Sequence, residues 1–204
     1  TSLIIENGVD IIDEMAFESC SGLKELDVPS SVDNIRQNAF RSCVSLEKAT
    51  LSGTIEWDVF MDCTALETVT LRESVTHLMG RCFSEGSTVN KLIFLGNAPT
   101  FDYNTFAKMT ATAYYPEDGT GWDKAVKSSY SGKIPWVPYV GSCIEHIYEA
   151  VVTEPTCTEQ GYTTYTCTNC GHSYVDDYTD PIDHSYEAVV TAPTCQAQGY
   201  TTYT

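Results

Sequence analysis

Four residues near the end of the sequence have the chemistry and the spacing of a structural metal site. His146, Cys157, Cys167 and Cys170 follow the pattern H-x10-C-x9-C-x2-C. Imidazole nitrogen and thiolate sulfur are ligands of structural zinc, and three cysteines with one histidine close its tetrahedral shell. Gly171, directly after the C-x2-C pair, allows the backbone to turn tightly there. The sequence therefore predicts a structural zinc in this region and requires no other cofactor.

Two other states of these cysteines remain open. In a secreted protein, Cys157 could form a disulfide with Cys167 or Cys170 instead of binding metal. The thiols could also stay reduced. Three further residues are alternative metal ligands: Cys143, His172 and His184.

The segment that carries these residues has a composition of its own. From residue 143 onward the chain has no Lys, Arg, Leu, Met, Phe or Trp, and residues 148–166 return as 186–204 with three differences. Stretches rich in Thr, Tyr and Val favour strands. The pattern predicts a small mainly-β tail in two repeats, 143–182 and a truncated 183–204. Units of under about 40 residues usually need a disulfide, a metal or a neighbour to fold.

The residues before the tail repeat with a period in the twenties. Phenylalanine returns in steps of 23, 20, 23 and 23 residues, at Phe17, Phe40, Phe60, Phe83 and Phe106. Self-similarity at this period is typical of a solenoid, in which stacked copies bury a core that no single copy could bury. We predict five copies over residues 1–111. The first is entered partway through a unit, which indicates a fragment of a longer protein.

Each copy has the elements of an α/β solenoid. An apolar-x-apolar pair marks a strand with one buried face, and stacked copies of it form a parallel sheet. A second apolar pair predicts another short strand or turn, and the small residue before each phenylalanine predicts a tight or short helical turn. The third copy is three residues short, and we place the shortening between Ile55 and Phe60. The strand pairs are Leu26/Val28, Ala49/Leu51, Val69/Leu71 and Leu92/Phe94.

The repeat resembles a known family. The pattern V-x-x-I-x-x-x-A-F-x-x-C-x-x-L-x-x-L-x-V-P, matched closely by residues 9–31 and 32–54, is similar to the BspA-like leucine-rich repeat. The tail resembles the PTC/CxxC repeats that often accompany such proteins. The resemblance implies a secreted or surface-anchored protein, typically of host-associated bacteria, with adhesion or binding as its role and no catalytic residues.

An aromatic segment follows the last copy. Residues 112–142 concentrate Tyr, Trp, Gly and Pro. The end of a solenoid exposes a cross-section of core that must be covered, and Trp122, Trp136 and Tyr139 suit a C-terminal cap. The alternative is an aromatic platform for a sugar or a peptide.

The solenoid has cysteines at a recurring position. Cys20, Cys43 and Cys63 each stand three residues after a phenylalanine, whereas Cys82 directly precedes one. Cysteine is among the most buried residue types and packs as a small apolar side chain. We therefore expect buried, unpaired thiols, since three cysteines in one column cannot all form disulfides.

The outward positions of the predicted strands form the candidate binding surface. They alternate with the buried positions along each strand and are polar and mixed in charge, without a large apolar or single-sign patch. An ordinary solvated sheet face is the alternative. The eight residues are Glu25, Asp27, Lys48, Thr50, Thr68, Thr70, Lys91 and Ile93.

Charge and motifs exclude several function classes. The net charge of −17, of which the tail carries −9 and residues 1–142 carry −8, argues against nucleic acid and anionic membranes as partners. No apolar run approaches the ~18 residues of a spanning helix. There is no G-x-S-x-G, H-E-x-x-H or phosphate-binding glycine loop, and His77 has no evident nucleophile to serve. We predict that the protein is not an enzyme.

Two functions fit these observations. The first is an extracellular or cell-surface adhesion protein that binds a protein or glycan partner, not identified by the sequence, through the solenoid face. The second is a structural surface stalk with metal- or disulfide-stapled tail repeats.

Overall fold

The computed structural model describes residues 3–83, 88–141, 144, 147–183 and 186–204. The chain divides into two compact units, residues 1–144 and 145–204. Among the described residues, no helix is long and apolar enough to cross a bilayer.

The first unit is built from short strands. In chain order they are β1 (Ile11–Ile12), β2 (Glu25–Asp27), β3 (Asn34–Ile35), β4 (Lys48–Leu51), β5 (Thr54–Ile55), β6 (Thr68–Leu71), β7 (His77–Leu78), β8 (Lys91–Phe94), β9 (Thr100–Phe101), β10 (Thr112–Pro116) and β11 (Trp136–Tyr139).

These strands form two parallel sheets, as expected for a solenoid. The first sheet has the order β2-β4-β6-β8-β10-β11, and the second has the order β1-β3-β5-β7-β9. Equivalent residues of successive copies pair directly, so that Leu26 lies beside Ala49 and Ala49 beside Val69. Side chains on the inward column of each sheet are buried together in one core. The prediction of a parallel-strand solenoid is confirmed.

The repeating phenylalanines form a stack inside this core. The ring centroids of Phe17 and Phe40 are 5.2 Å apart, those of Phe40 and Phe60 are 5.7 Å apart, and those of Phe60 and Phe83 are 5.8 Å apart. Phe40, Phe60 and Phe83 are fully buried. Stacked aromatic pairs at this spacing add to the stability that burial alone provides.

The turns that carry the phenylalanines are not helical, which corrects the prediction of short helical turns. No helix occurs among the described residues. Asn38 and Ser42, on either side of Phe40, have φ angles of 59° and 57°, and left-handed residues interrupt a right-handed helix. The freed backbone N–H groups bond to the next copy instead: that of Phe40 donates to the carbonyl oxygen of Val59 at 3.1 Å.

The shortening that was predicted for the third copy lies at the end of the second copy instead. Ile55 pairs with Ile35, so the spacing from this strand to its phenylalanine is unchanged. The three residues are missing between Leu51 and Ser52, where other copies have a loop. Ser52 occupies a core position as a result, and its hydroxyl donates to the carbonyl oxygen of Val32 at 2.8 Å. A buried serine does not fit the apolar pattern, so the apolar columns alone place Ile55 in the wrong column.

An arginine crosses the place where the loop is missing. Arg72 belongs to the third copy of the first sheet, yet its Nε donates to the carbonyl oxygen of Val28 in the first copy at 3.0 Å. Its guanidinium also pairs with Asp27 at 2.5 Å. The second copy lies between these two and lacks the loop, so the Arg72 side chain has space to reach the first copy.

The aromatic segment continues the first sheet. Its strands β10 and β11 add to the sheet in parallel and in register. Trp122 packs edge-on against Phe94 with ring centroids 5.0 Å apart, and its indole N–H donates to the carbonyl oxygen of Gly96 at 3.1 Å. Because Trp122 and Tyr139 are buried, their rings do not form an open platform for a sugar. Their role as a cap stays a prediction.

The second unit consists of antiparallel strands. They are β12 (Tyr148–Thr153), β13 (Gly161–Cys167), β14 (Ser173–Thr179), β15 (Ala188–Thr191) and β16 (Tyr200–Tyr203). The first three form one sheet in sequence order, and the last two form a hairpin. The side chains of β14 are exposed along its whole length.

Candidate functional site

The predicted binding residues lie together on the outer face of the first sheet. The register places Glu25, Lys48, Thr68 and Lys91 in one column across β2, β4, β6 and β8. A second column, two residues further along each strand, holds the remaining residues: Asp27, Thr50, Thr70 and Ile93. We call these two columns the strand face. The side chains of Lys48 and Glu25 approach to 3.7 Å and are 66% and 70% exposed, so this pair contributes little to stability.

One of the eight residues is largely hidden. Ile93 is only 8% exposed, because its neighbours in register are Thr70 and the bulky Tyr114. The ammonium group of Lys91 lies 5.2 Å from the centroid of the Tyr114 ring. Tyr114 comes from the aromatic segment, which the repeat pattern does not cover, so no periodic signal indicates that it joins this face.

His77 has a partner on the second sheet. Its Nε2 lies 3.0 Å from a carboxylate oxygen of Asp102, and the other oxygen accepts the backbone N–H of Gly80 at 2.9 Å. Burial acts to raise the pKa of Asp102, but the hydrogen bonds from His77 and Gly80, with a smaller contribution from Trp57, hold it below its ordinary value. A histidine paired in this way is a strand residue whose hydrogen bonding is satisfied by its neighbours. The sequence did not identify Asp102, because it lies in the degenerate fifth copy.

The cysteine column is buried except at one end. The thiols of Cys43 and Cys63 donate to the carbonyl oxygens of Phe17 and Phe40 at 3.3 Å and 3.2 Å. Cys20, in contrast, is exposed, since no described copy covers its side of the stack. The prediction of a buried thiol is therefore wrong for Cys20.

Two buried thiols have raised pKa values. The neighbouring Cys43 side chain and burial raise the pKa of Cys63, and burial raises the pKa of Cys82. Because the thiolate is the reactive form of cysteine, we expect both thiols to react slowly and to serve as core residues.

The fold of the tail places Cys157 far from Cys167 and Cys170, although all three belong to the predicted zinc set. Cys167 and Cys170 bound a tight turn between β13 and β14, in which the backbone N–H of Gly171 donates to the carbonyl oxygen of Cys167 at 2.9 Å. Cys157 lies in the loop at the opposite end of β13. A strand of this length spans about 20 Å, which is too far for a shared metal ion or for a disulfide. His146 lies outside the described residues.

No complete metal site occurs in the described part of the chain. No group of three or more His, Cys, Asp or Glu side chains is arranged there to hold a metal ion. His172 lies beside the turn, with its Nδ1 3.2 Å from the hydroxyl of Tyr148. Two of the alternative ligands, Cys143 and His184, also lie outside the described residues.

A comparison with protein families identifies the repeat. Residues 1–112 match the BspA type leucine rich repeat region in 6 copies, one more than the phenylalanines indicated. No curated protein and no solved structure matches the chain. The match covers 112 of 204 residues and includes the strands β1 to β9 of the two parallel sheets. The chain therefore belongs to the BspA type leucine-rich repeat family.

Proposed function

We propose that this protein is a secreted or cell-surface adhesion protein of a bacterium, and that it binds a macromolecular partner through the strand face without catalysing a reaction. The register of the first sheet carries the proposal, since it joins polar side chains of four successive copies into one surface. Solenoids use such extended surfaces for binding, and proteins with this repeat are often surface-associated and take part in protein interaction.

The chemistry of the strand face supports a binding role over catalysis. Its acidic residues lie on β2, its lysines on β4 and β8, and its threonines mainly between them. This arrangement offers hydrogen-bond donors and acceptors over a broad area, but the described residues bring no nucleophile, base and orienting group together there.

A charge-reversal experiment tests the strand face. The purified chain would be screened by biolayer interferometry against extracellular matrix proteins and a glycan panel. For any ligand found, we expect the double variant Lys48→Glu/Lys91→Glu to bind at least tenfold more weakly, since charges in an interface control association and register. Lys124→Glu/Lys133→Glu makes the same charge change outside the strand face and should bind normally. A ligand that loses affinity equally with both double variants would contradict the proposal.

We also propose a second, structural role for the tail. The turn from Cys167 to Gly171 supports it, because a C-x2-C-G turn closed by a backbone hydrogen bond suits two thiolate ligands of zinc. Cys157 is not part of this revised set. His146, which the sequence singled out, is the expected third ligand. A stapled module would give a stalk that keeps its shape despite its small core.

Metal content and thiol reactivity test the staple. We expect about one zinc per chain, and we expect Cys167 and Cys170 to react with Ellman's reagent only after a chelator is added. Cys43, Cys63 and Cys82 should stay unreactive in both conditions, because they are buried, and they serve as an internal control. Absence of metal together with immediate reaction of Cys167 and Cys170 would exclude the staple.

A further inference from the structure

Trp57 is exposed at a position where the fold does not need an aromatic residue. It stands two residues after the buried Ile55, and the register of the second sheet places it in one column with four others, Glu14, Gln37, Gly80 and Tyr103. Trp57 is 50% exposed. Glutamate, glutamine, glycine and an exposed tyrosine take this position in the other copies, so the core does not require an indole there.

The side chain of Trp57 has a partner in the fifth copy. Burial raises the pKa of Asp102, and hydrogen bonds from His77, Gly80 and the Trp57 side chain lower it. Asp102 is itself fixed by His77 and by the backbone N–H of Gly80. This contact anchors the indole, which is still half exposed.

The surface around Trp57 is acidic. The outer positions of the second sheet and its turns carry seven carboxylates and two arginines: Asp10, Asp13, Glu14, Asp33, Glu56, Asp58, Asp102, Arg36 and Arg81. Both arginines pair with carboxylates of this surface, Arg36 with Asp13 at 2.8 Å and Arg81 with Asp58 at 3.3 Å. Glu56, next to Trp57, accepts the backbone N–H of Gln37 at 3.1 Å. The excess of carboxylates creates a negative potential over the ring.

We propose that Trp57 and Glu56 form a docking point for an arginine or lysine side chain of a basic partner protein. The face of an indole is the best aromatic partner for a cation, and the surrounding carboxylates attract one over distances of about 10 Å at moderate salt. A neutral sugar ring could also stack on an indole, but it would gain nothing from the acidic surroundings. This docking point lies on the second sheet and is separate from the strand face.

A short cationic peptide tests the docking point. The probe is an octapeptide of alternating arginine and glycine, titrated into the full chain by calorimetry, with the same peptide carrying glutamine for arginine as its control. We expect Trp57→Ala to weaken binding roughly threefold to thirtyfold, with Trp57→Phe between it and the wild type. Glu56→Gln should weaken binding, whereas Glu117→Gln, which makes the same change at an exposed position of the aromatic segment, should not. Raising the salt concentration should weaken binding.

Three results would overturn the proposal. Trp57→Ala could bind the arginine peptide as the wild type does while keeping its circular dichroism spectrum and melting temperature. Glu117→Gln and Glu56→Gln could weaken binding equally, which would indicate general attraction to an acidic protein. A neutral glucose hexasaccharide could bind in a manner that depends on Trp57 and not on salt, which would make the surface a saccharide site.

Discussion

Phe60→Ala is expected to lower the free energy of unfolding of the solenoid by about 3–5 kcal/mol, the range for truncating a buried phenylalanine. Phe60 is fully buried and stacks between Phe40 and Phe83 at 5.7 Å and 5.8 Å. The variant therefore loses two ring contacts and leaves a cavity in the middle of the stack. Urea unfolding, followed by tryptophan fluorescence, measures the change because Trp122 and Trp136 lie in the same unit.

Phe17→Ala is the matched control for this prediction. Phe17 has the same position in its copy but is only partly buried, and among the described residues its ring stacks on that of Phe40 alone. Solenoid stability is approximately a sum of repeat and nearest-neighbour terms, so the end of the stack should lose less than its middle. Equal losses in the two variants would show that the rings do not stabilise the solenoid through stacking.

The sequence predicts the phenylalanine stack for a physical reason. A ring that recurs at a fixed period in parallel copies must lie on its equivalents, and the flanking apolar columns show which side is buried. The strand face follows from the same register, so the positions of Glu25, Lys48 and Thr68 could be assigned without coordinates. The burial of Ile93 could not, since it depends on Tyr114, a residue outside the repeat.

The tail shows where spacing in the sequence ceases to predict spacing in the structure. Nine residues lie between Cys157 and Cys167, a distance that a loop could close. A hairpin instead places them at opposite ends of β13, because the Thr and Tyr residues between them favour an extended strand. The same residues predicted the strand, but the consequence for the cysteine set requires knowing where the strand begins and ends.

The misplaced shortening of the third copy has a similar origin. The predicted position of the shortening depends on the columns of apolar residues. Ser52 is a buried polar residue in a column that is otherwise mostly valine. The Ser52 hydroxyl forms hydrogen bonds with the carbonyl oxygen of Val32 and, at 3.1 Å, with the Ser74 hydroxyl. These two bonds offset the cost of burying a polar group. Such compensation depends on tertiary contacts and leaves no periodic signal.

Gly53→Ala should be the most damaging small substitution in the shortened turn. Gly53 has a φ of 70°, and an added Cβ would lie 2.4 Å from the carbonyl oxygen of Asp33 and 2.5 Å from that of Val32. Left-handed backbone costs an alanine about 1 kcal/mol, and forcing an atom into a packed site adds about 1–3 kcal/mol. We expect a total loss of about 3 kcal/mol in the free energy of unfolding, measured by urea denaturation.

Gly141→Ala separates the two contributions. Gly141 also has a φ of 70°, but nothing lies within 4 Å of its added Cβ, so this variant should lose only the conformational part, about 1 kcal/mol. The difference between the two variants then measures the close approach of Gly53 to the preceding copy. If both variants lost the same amount, the shortened turn would have room to relax, and the absence of its loop would impose no constraint on residue 53 beyond its dihedral angle.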